Sequence, residues 1–414
     1  MKHIALYLPS LAGGGMERSL LNLGEGMLAM GYQVDIVVNR LRGEYLSSLP
    51  SGLNVLELNA GNIAGSFILA LRADSRLLYE CCRLGTFMLN AKKKMKYLSG
   101  LVDYLREKQP FALISAGELC NLMAVWARQV ANTNTRIIVS QRNMLSKPIA
   151  ARTSSHARWR HMARFIEYTY PGADAVVTVS KGVAEDLSVT AKVDSDAITT
   201  IYNPVVTSSL AGRANESVAH PWLQVGDGVP TIVAAGRLRA QKNFSLLLNA
   251  FALLRHHRPA RLIIMGEGEE RSSLEALSHE LEISDCVDMP GFSDNPYAVF
   301  SRADLFVFSS AYEGLGNVLI EALACGCPVV STDCPSGPAE ILEEGRYGLL
   351  VPVGNVEALA EAMSLTLDNP LPAETLKRRA AEFSLESSLN LYLGLTDRAV
   401  TPVFEKHAVY TVGE

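Results

Sequence analysis

The sequence predicts an α/β protein of two doubly wound domains that face each other across a cleft. Three observations predict it. Short β-rich runs alternate with helical patterns along most of the chain, the mark of βαβ units and parallel sheets. The strand candidates are continuous apolar runs, as strands covered on both faces are. The series also runs twice, broken by a stretch from Asn203 to Pro230 that holds Pro204, Pro221 and Pro230 and little periodicity, a connection between domains.

The first series begins with Ile4–Leu8 as a buried strand. Gly13, Gly14 and Gly15 follow, then a helical pattern from Glu17 to Met30 closed by Gly31, then the strand Val34–Val38. Strand, glycine turn, helix and strand make one βαβ unit with a right-handed crossover. Further strands are Ala112–Ser115, Arg136–Ser140 and Ala175–Val179, and a helix starts at Lys181. The second series has strands at Thr231–Ala235, Arg261–Met265, Val287–Met289, Leu305–Phe308, Val329–Ser331 and Gly348–Val351, with helices at Ser245–Leu254, Glu270–Leu281 and Val356–Leu365. Ligands of open α/β sheets bind outside the carboxyl ends of the strands, so the loops there are the first place to look for chemistry.

The chain has 414 residues, 48% hydrophobic and 20% charged, which excludes disorder or low complexity as a description of the whole. Its net charge is −5, but residues 1–210 hold 23 Lys+Arg against 16 Asp+Glu, and the remainder is acidic. A basic first half suits a negative partner: an anionic membrane surface, a phosphorylated substrate or nucleic acid. The seven cysteines, with Cys81-Cys82 and Cys325-x-Cys327, match no zinc or redox spacing and read as small buried hydrophobes in a reducing compartment. No export signal or apolar span of 18 residues is present. A cytoplasmic protein, able to lie on a membrane, is expected.

The densest motif runs from Ser309 to Gly326, after an apolar strand and into an apolar-faced helix. Gly314 and Gly316 permit close backbone approach, and helix-start amides suit a diphosphate. Glu321 shares a helix face with Asn317; its carboxylate can accept from two adjacent hydroxyls, as a ribose diol requires. Glu313, before the glycines, is within reach of a sugar hydroxyl. Gly236 and Arg237, with Lys242, follow the strand Thr231–Ala235 and suit a pyrophosphate. Gly266-Glu267-Gly268 and Gly291-Phe292 end two further strands, where a planar base can pack. Gly13-x-Gly15-x-x-Arg18 falls short of a dinucleotide fingerprint because Arg18 stands where the third glycine belongs, which argues against a nicotinamide enzyme. Asp194-Ser195-Asp196 reads as a surface turn rather than a metal site.

Glu313 and Glu321 match the Glu-x7-Glu motif, and the sequence here resembles the retaining glycosyltransferases of family 4. Gly236-Arg237-Leu238 with Lys242, Gly266-Glu267-Gly268, Gly291-Phe292 and Ser309 to Gly326 stand in that family's order. The resemblance covers nearly the whole chain and is densest from 231 to 360. It implies the GT-B fold, with residues 1–205 as the acceptor domain, 206–385 as the nucleotide-sugar domain, and 386–414 packing back on the first. By position it implies Arg237, Lys242 and Glu313 as catalytic residues. Gly15, Gly236, Gly266, Gly291, Phe292, Gly314, Leu315, Gly316, Asn317 and Glu321 fall on the donor side. Gly13, Gly14, Glu17, Arg142 and Asn143 fall on the acceptor side. Many members carry a histidine after the strand matching Arg136–Ser140; here the run is Ser140-Gln141-Arg142-Asn143-Met144, with Arg142 and Asn143 as candidates for that contact and the position-by-position match ending there. The stretch Asp333 to Leu342 looks most like bacterial members that extend lipid-linked glycans.

The resemblance further implies sugar transfer with retention, no cofactor and no obligatory metal. A nucleotide sugar, most simply a UDP-hexose or UDP-N-acetylhexosamine, is the donor, and a glycan or polyprenyl-diphosphate-linked molecule the acceptor. Basic residues interleaved with apolar ones from Phe87 to Leu98 and from Arg152 to Arg164 suit an anionic membrane surface; no nucleic-acid-reading module is present. The competing readings are a nucleotide-sugar epimerase of the same fold and a silent subunit that only binds nucleotide sugar. Intact Arg237, Lys242, Glu313 and Glu321 argue against the second.

Overall fold

The computed structural model describes residues 2–76, 94–147, 156–224 and 226–397. Cys81, Cys82, the run from Phe87 to Lys93, Arg152 and residues 398–414 lie outside the described residues, as do the side chains of Arg158, Trp159 and Arg160.

Two parallel sheets form, one from each series. The first holds seven strands: β1 (His3–Leu8), β2 (Gln33–Val38), β3 (Asn54–Glu57), β4 (Ala112–Ala116), β5 (Arg136–Gln141), β6 (Ala175–Thr178) and β7 (Ile198–Thr200), in the order β3-β2-β1-β4-β5-β6-β7. The second holds six: β8 (Thr231–Ala235), β9 (Arg261–Met265), β10 (Val287–Gly291), β11 (Leu305–Phe308), β12 (Val329–Thr332) and β13 (Leu349–Val351), in the order β10-β9-β8-β11-β12-β13. Each order reverses once, between β1 and β4 and between β8 and β11. These are the switch points where a crevice opens at the strands' carboxyl ends.

Continuous apolar strands split their side chains between two cores, because successive residues point to opposite faces. In β1, Ala5 and Tyr7 enter one cluster and Ile4, Leu6 and Leu8 the other. In β11, Phe306 and Phe308 face one cluster and Leu305 and Val307 the other. The helix Gly15–Ala29 buries Leu20, Leu21, Leu23 and Met27.

Three details position the site. The stretch after Asn203 is not irregular throughout: a helix, Ser208–Ala214, forms there and buries Leu210 and Ala214 in a cluster of the second sheet. That same cluster takes Val179 and Val183 from the first half, so apolar contact joins the two halves. The helix Leu385–Asp397 returns to the first sheet: Leu389, Tyr392, Leu393 and Leu395 join its core, and Lys2 pairs with Asp397.

Candidate active site

The glycine loops of the second half are laced together by backbone bonds at the ends of β8, β9 and β10. Gly266 N–H donates to the Gly291 carbonyl at 2.8 Å, Gly236 N–H to Met265 at 3.0 Å and Leu238 N–H to Glu267 at 2.9 Å. Gly266 has φ +137°, and a Cβ there would lie 1.9 Å from the Gly236 carbonyl oxygen; only glycine permits the mesh. Gly291 and Phe292 form its far edge, with the Phe292 ring exposed and 3.4 Å from where a side chain on Gly13 would begin.

At the end of β8 and β11 sits a charged pair. Lys242 Nζ donates to Glu313 Oε1 at 2.6 Å, and Ser310 Oγ donates to the same oxygen at 2.7 Å. Gln241 Nε2 bonds the Tyr312 carbonyl at 2.9 Å and holds the loop beneath. The pair is largely buried, with the ammonium 5.1 Å from the Phe308 ring centre. An ammonium carries three donors, so Lys242 keeps capacity for an anion after Glu313 is served. Arg237 is exposed on the same loop as Lys242.

Opposite lies the loop after β1, where Gly13, Gly14 and Gly15 lead into the first helix. A side chain on Gly14 would meet Glu17 Oε2 at 2.6 Å and Arg237 Nη2 at 2.8 Å, so a carboxylate of the first half and a guanidinium of the second converge there. Burial pushes the Glu17 carboxyl up; a backbone hydrogen bond, then Arg237 and Arg142, oppose the shift.

Polar bonds then cross the cleft at several points. Asn317 Nδ2 donates to the Gly15 carbonyl at 3.1 Å and its Oδ1 accepts from Asn203 at 2.7 Å. Asn203 Oδ1 in turn accepts from Arg142 Nη1, which also reaches Ser19 Oγ at 3.0 Å. Among the described residues, Nε and Nη2 of Arg142, which is 6% exposed, have no partner. Gly314 packs directly on the Arg142 carbonyl, and its own carbonyl accepts from Ser180 Oγ at 2.6 Å and Ser336 Oγ at 2.7 Å. Glu340 accepts from the Lys181 and Gly182 amides, both at 2.9 Å, and so caps a helix of the other half, Lys181–Ala191. The run from Asp333 to Leu342 thus has a physical content: Ser336 and Glu340 fasten the halves together.

The structure brings together Gly13, Gly14, Gly15, Glu17 and Arg142 with Arg237, Lys242, Glu313, Gly314, Leu315, Gly316, Asn317 and Glu321. Leu315 is buried and Gly316 has φ +100° as the residue capping the helix Asn317–Ala324. Asn143 is exposed, with its carbonyl accepting from Gln141, so Arg142 is the buried group at the position where the family histidine is missing. Asp194 caps a short turn through Asp196 N–H, and both are exposed. Among the described residues no group of His, Cys, Asp and Glu is arranged to hold a metal ion, and no helix is long and apolar enough to cross a membrane. Cys120, Cys286, Cys325, Cys327 and Cys334 are free thiols.

Sequence reasoning missed Asn203, Ser180, Glu340, Tyr45 and Tyr297, and used Arg18 only to reject a nicotinamide site. Arg18 Nη1 donates to the Tyr297 hydroxyl at 3.0 Å and to Glu321 Oε1 at 3.3 Å, while Nε donates to the Tyr45 hydroxyl at 3.0 Å. Burial works against its charge, but Glu321 and Tyr297 outweigh that and hold the guanidinium protonated. The sole signal for this role was an arginine in place of a glycine.

Two facing doubly wound sheets, with a glycine loop at each switch point and Arg237 and Lys242 after β8, define a glycosyltransferase of the GT-B type. Residues 13–209 match the model described as Glycosyltransferase Family 4, and residues 220–383 match that described as Glycosyl transferases group 1. The chain belongs to this glycosyltransferase family. It is 27% identical to N-acetylgalactosamine-N,N'-diacetylbacillosaminyl-diphospho-undecaprenol 4-alpha-N-acetylgalactosaminyltransferase of Campylobacter jejuni, over 92% of this chain and 94% of that one. Among solved structures, sucrose-phosphate synthase from Thermosynechococcus elongatus superimposes with a TM-score of 0.75 at 21% identity, covering 95% and 98% of the two chains. HepE of Anabaena, in complex with UDP-glucose, gives 0.73 at 16% identity, covering 95% and 99%. The two solved structures show the fold.

Proposed function

We propose that this chain is a retaining, metal-independent glycosyltransferase that moves a hexose or N-acetylhexosamine from a UDP-linked donor to a lipid-linked glycan, in the building of a surface polysaccharide or lipopolysaccharide. In this reading residues 206–385 bind the donor, residues 1–205 bind the acceptor, and the helix Leu385–Asp397 completes the acceptor domain. The observation that carries it is the Lys242–Glu313 pair, 2.6 Å apart at the ends of β8 and β11, with Arg237 on Lys242's own loop. The undecaprenol diphosphate in the Campylobacter jejuni relative's name favours the lipid-linked acceptor. The UDP-glucose bound by HepE favours the donor.

The bond from the sugar to the diphosphate breaks with its electron pair leaving on the phosphate oxygen. Arg237 and Lys242 offset that charge, and preorganised cations in a partly dry cleft do this without rearrangement. Amides at the start of the helix Asn317–Ala324 add the positive end of its dipole. The acceptor hydroxyl attacks from the leaving-group face, and its proton passes to the departing phosphate oxygen, so no protein base takes part. Glu313 receives a donor-sugar hydroxyl, and Glu321 the ribose diol. Arg142, whose buried Nε and Nη2 have no hydrogen-bond partner among the described residues, stands where the family histidine is absent and is the group available to take its contact.

A thermal-shift screen of nucleotide sugars tests the donor, since a ligand that binds the folded state raises its stability by mass action. Glu321→Ala is expected to weaken donor binding and Arg237→Ala to slow transfer. Wild-type rates in both variants would overturn the site. The reading also places the acceptor domain on the cytoplasmic face of an anionic membrane. Lys94 is exposed, and binding to anionic vesicles in co-sedimentation, lost when Lys92, Lys93, Lys94 and Lys96 are changed to Glu, is the expected result.

A further inference from the structure

Arg18 is the one guanidinium described that spans the two halves to reach the carboxylate read here as the ribose acceptor. It leaves the first turn of the helix Gly15–Ala29 and meets Glu321 at 3.3 Å. Its guanidinium carbon lies 5.4 Å from the Tyr45 ring centre and 5.7 Å from that of Tyr297, and both hydroxyls accept from it. The Arg18 side chain is 17% exposed and that of Glu321 8%. A buried ion pair contributes little net stability, because desolvating two charges cancels most of their attraction. This one sits in the cleft and joins residues 303 positions apart, so its value is to be sought in binding.

Arg18 engages only Oε1. Among the described residues Oε2 has no donor, and an ionised carboxylate has about four lone-pair positions. The carboxylate therefore keeps acceptor capacity for two ligand hydroxyls while Arg18 holds its plane.

We propose that Arg18 is a positioning residue for the nucleotide: clasped by Tyr45 and Tyr297, it orients the Glu321 carboxylate to receive the ribose 2′ and 3′ hydroxyls, so that the acceptor domain helps to read a donor it does not touch there. The proposal rests on the reading of Glu321 as the ribose acceptor. It deepens that reading by assigning ribose discrimination to a pair, one member from each domain.

Titration calorimetry with UDP and 2′-deoxy-UDP, with ADP and GDP alongside, tests it. The wild type is expected to favour UDP over its 2′-deoxy form by about tenfold, the worth of one hydrogen bond to a charged group. Arg18→Met should cut that preference to about threefold or less, and Arg18→Lys should restore part of it. In Glu321→Gln the preference should be near unity, and adding Arg18→Met should change it no further. If Arg18→Met weakens both nucleotides equally, the residue is merely structural and the proposal falls. If the wild type binds UDP but Glu321→Gln keeps the full preference, the reading of Glu321 fails. If none of the four diphosphates binds, the donor assignment fails with it.

Discussion

Gly314→Ala tests whether the domain approach seen here is the productive one. Gly314 does not have a positive φ, so alanine is conformationally tolerable and the whole effect comes from contact. The new Cβ would stand 1.9 Å from the Arg142 carbonyl oxygen and 2.9 Å from its carbon. Real Cβ atoms do not come within 3.0 Å, so the two backbones must separate by about 1.1 Å, the gap between 1.9 and 3.0. Gly314 belongs to the donor side and Arg142 to the acceptor side, so the separation opens the cleft where Lys242 and Glu313 lie. A misplacement of that size costs on the order of 10²-fold in turnover, or about 2.7 kcal/mol of barrier. Parting the halves loosens the Ser180 bond, about 1 kcal/mol, and strains the cluster that Val179 and Val183 share with Leu315, so a modest fall in the thermal midpoint should accompany the larger loss of turnover. Initial-rate sugar transfer, with thermal unfolding and small-angle scattering on the same sample, gives the answer. A variant that turns over within threefold of the wild type would refute the reasoning.

Other substitutions read out separate parts of the design. Glu340→Ala strips two amides of their acceptor and should destabilise by about 1–2 kcal/mol in urea unfolding; it should also raise the radius of gyration, whereas Glu340→Gln should lose less. Lys242→Met leaves the buried Glu313 carboxylate uncompensated and should cost a few kcal/mol in stability, recovered in the double variant Lys242→Met/Glu313→Gln, which stays inactive in sugar transfer. Glu17 tests pH dependence. Its folded pKa is raised above the ordinary 4.5 by burial, so the folded state holds this proton more tightly than the unfolded chain. The group's contribution is most favourable below 4.5 and falls as pH rises through the raised folded value. Urea midpoints should therefore favour Glu17→Gln over the wild type by a margin that widens with pH; a margin constant across that window would count against it.

The strands legible in the sequence are those buried on both faces, such as β1, β4 and β11, because an unbroken apolar run leaves few alternatives. β3 was not legible: Asn54 to Glu57 is short, polar at both ends and only half buried, so pairing with β2 rather than its own pattern makes it a strand. Ser208–Ala214 was lost among prolines and glycines because its order comes from burying Leu210 and Ala214 against the second half. The site divides the same way. Residues at strand ends, Gly14, Arg237, Lys242 and Glu313, are marked by local sequence. Arg18, Asn203, Tyr297 and Glu340 acquire their partners only once the halves meet, and no local pattern encodes a contact made hundreds of residues away.

The returning helix Leu385–Asp397 bears on how the molecule is made. Gly26 packs against Leu385 and Leu389, and Tyr392, with 1% exposure, sets its hydroxyl 3.3 Å from Ser140. The first sheet is thus synthesised early yet lacks part of its own core until residues near the other end of the chain emerge. On a ribosome adding about 5–20 residues per second, that interval is filled by the second sheet, which can fold within residues already exposed. The half translated first is the half completed last, and for that interval an apolar groove along the first helix stands open to chaperones or to neighbouring nascent chains.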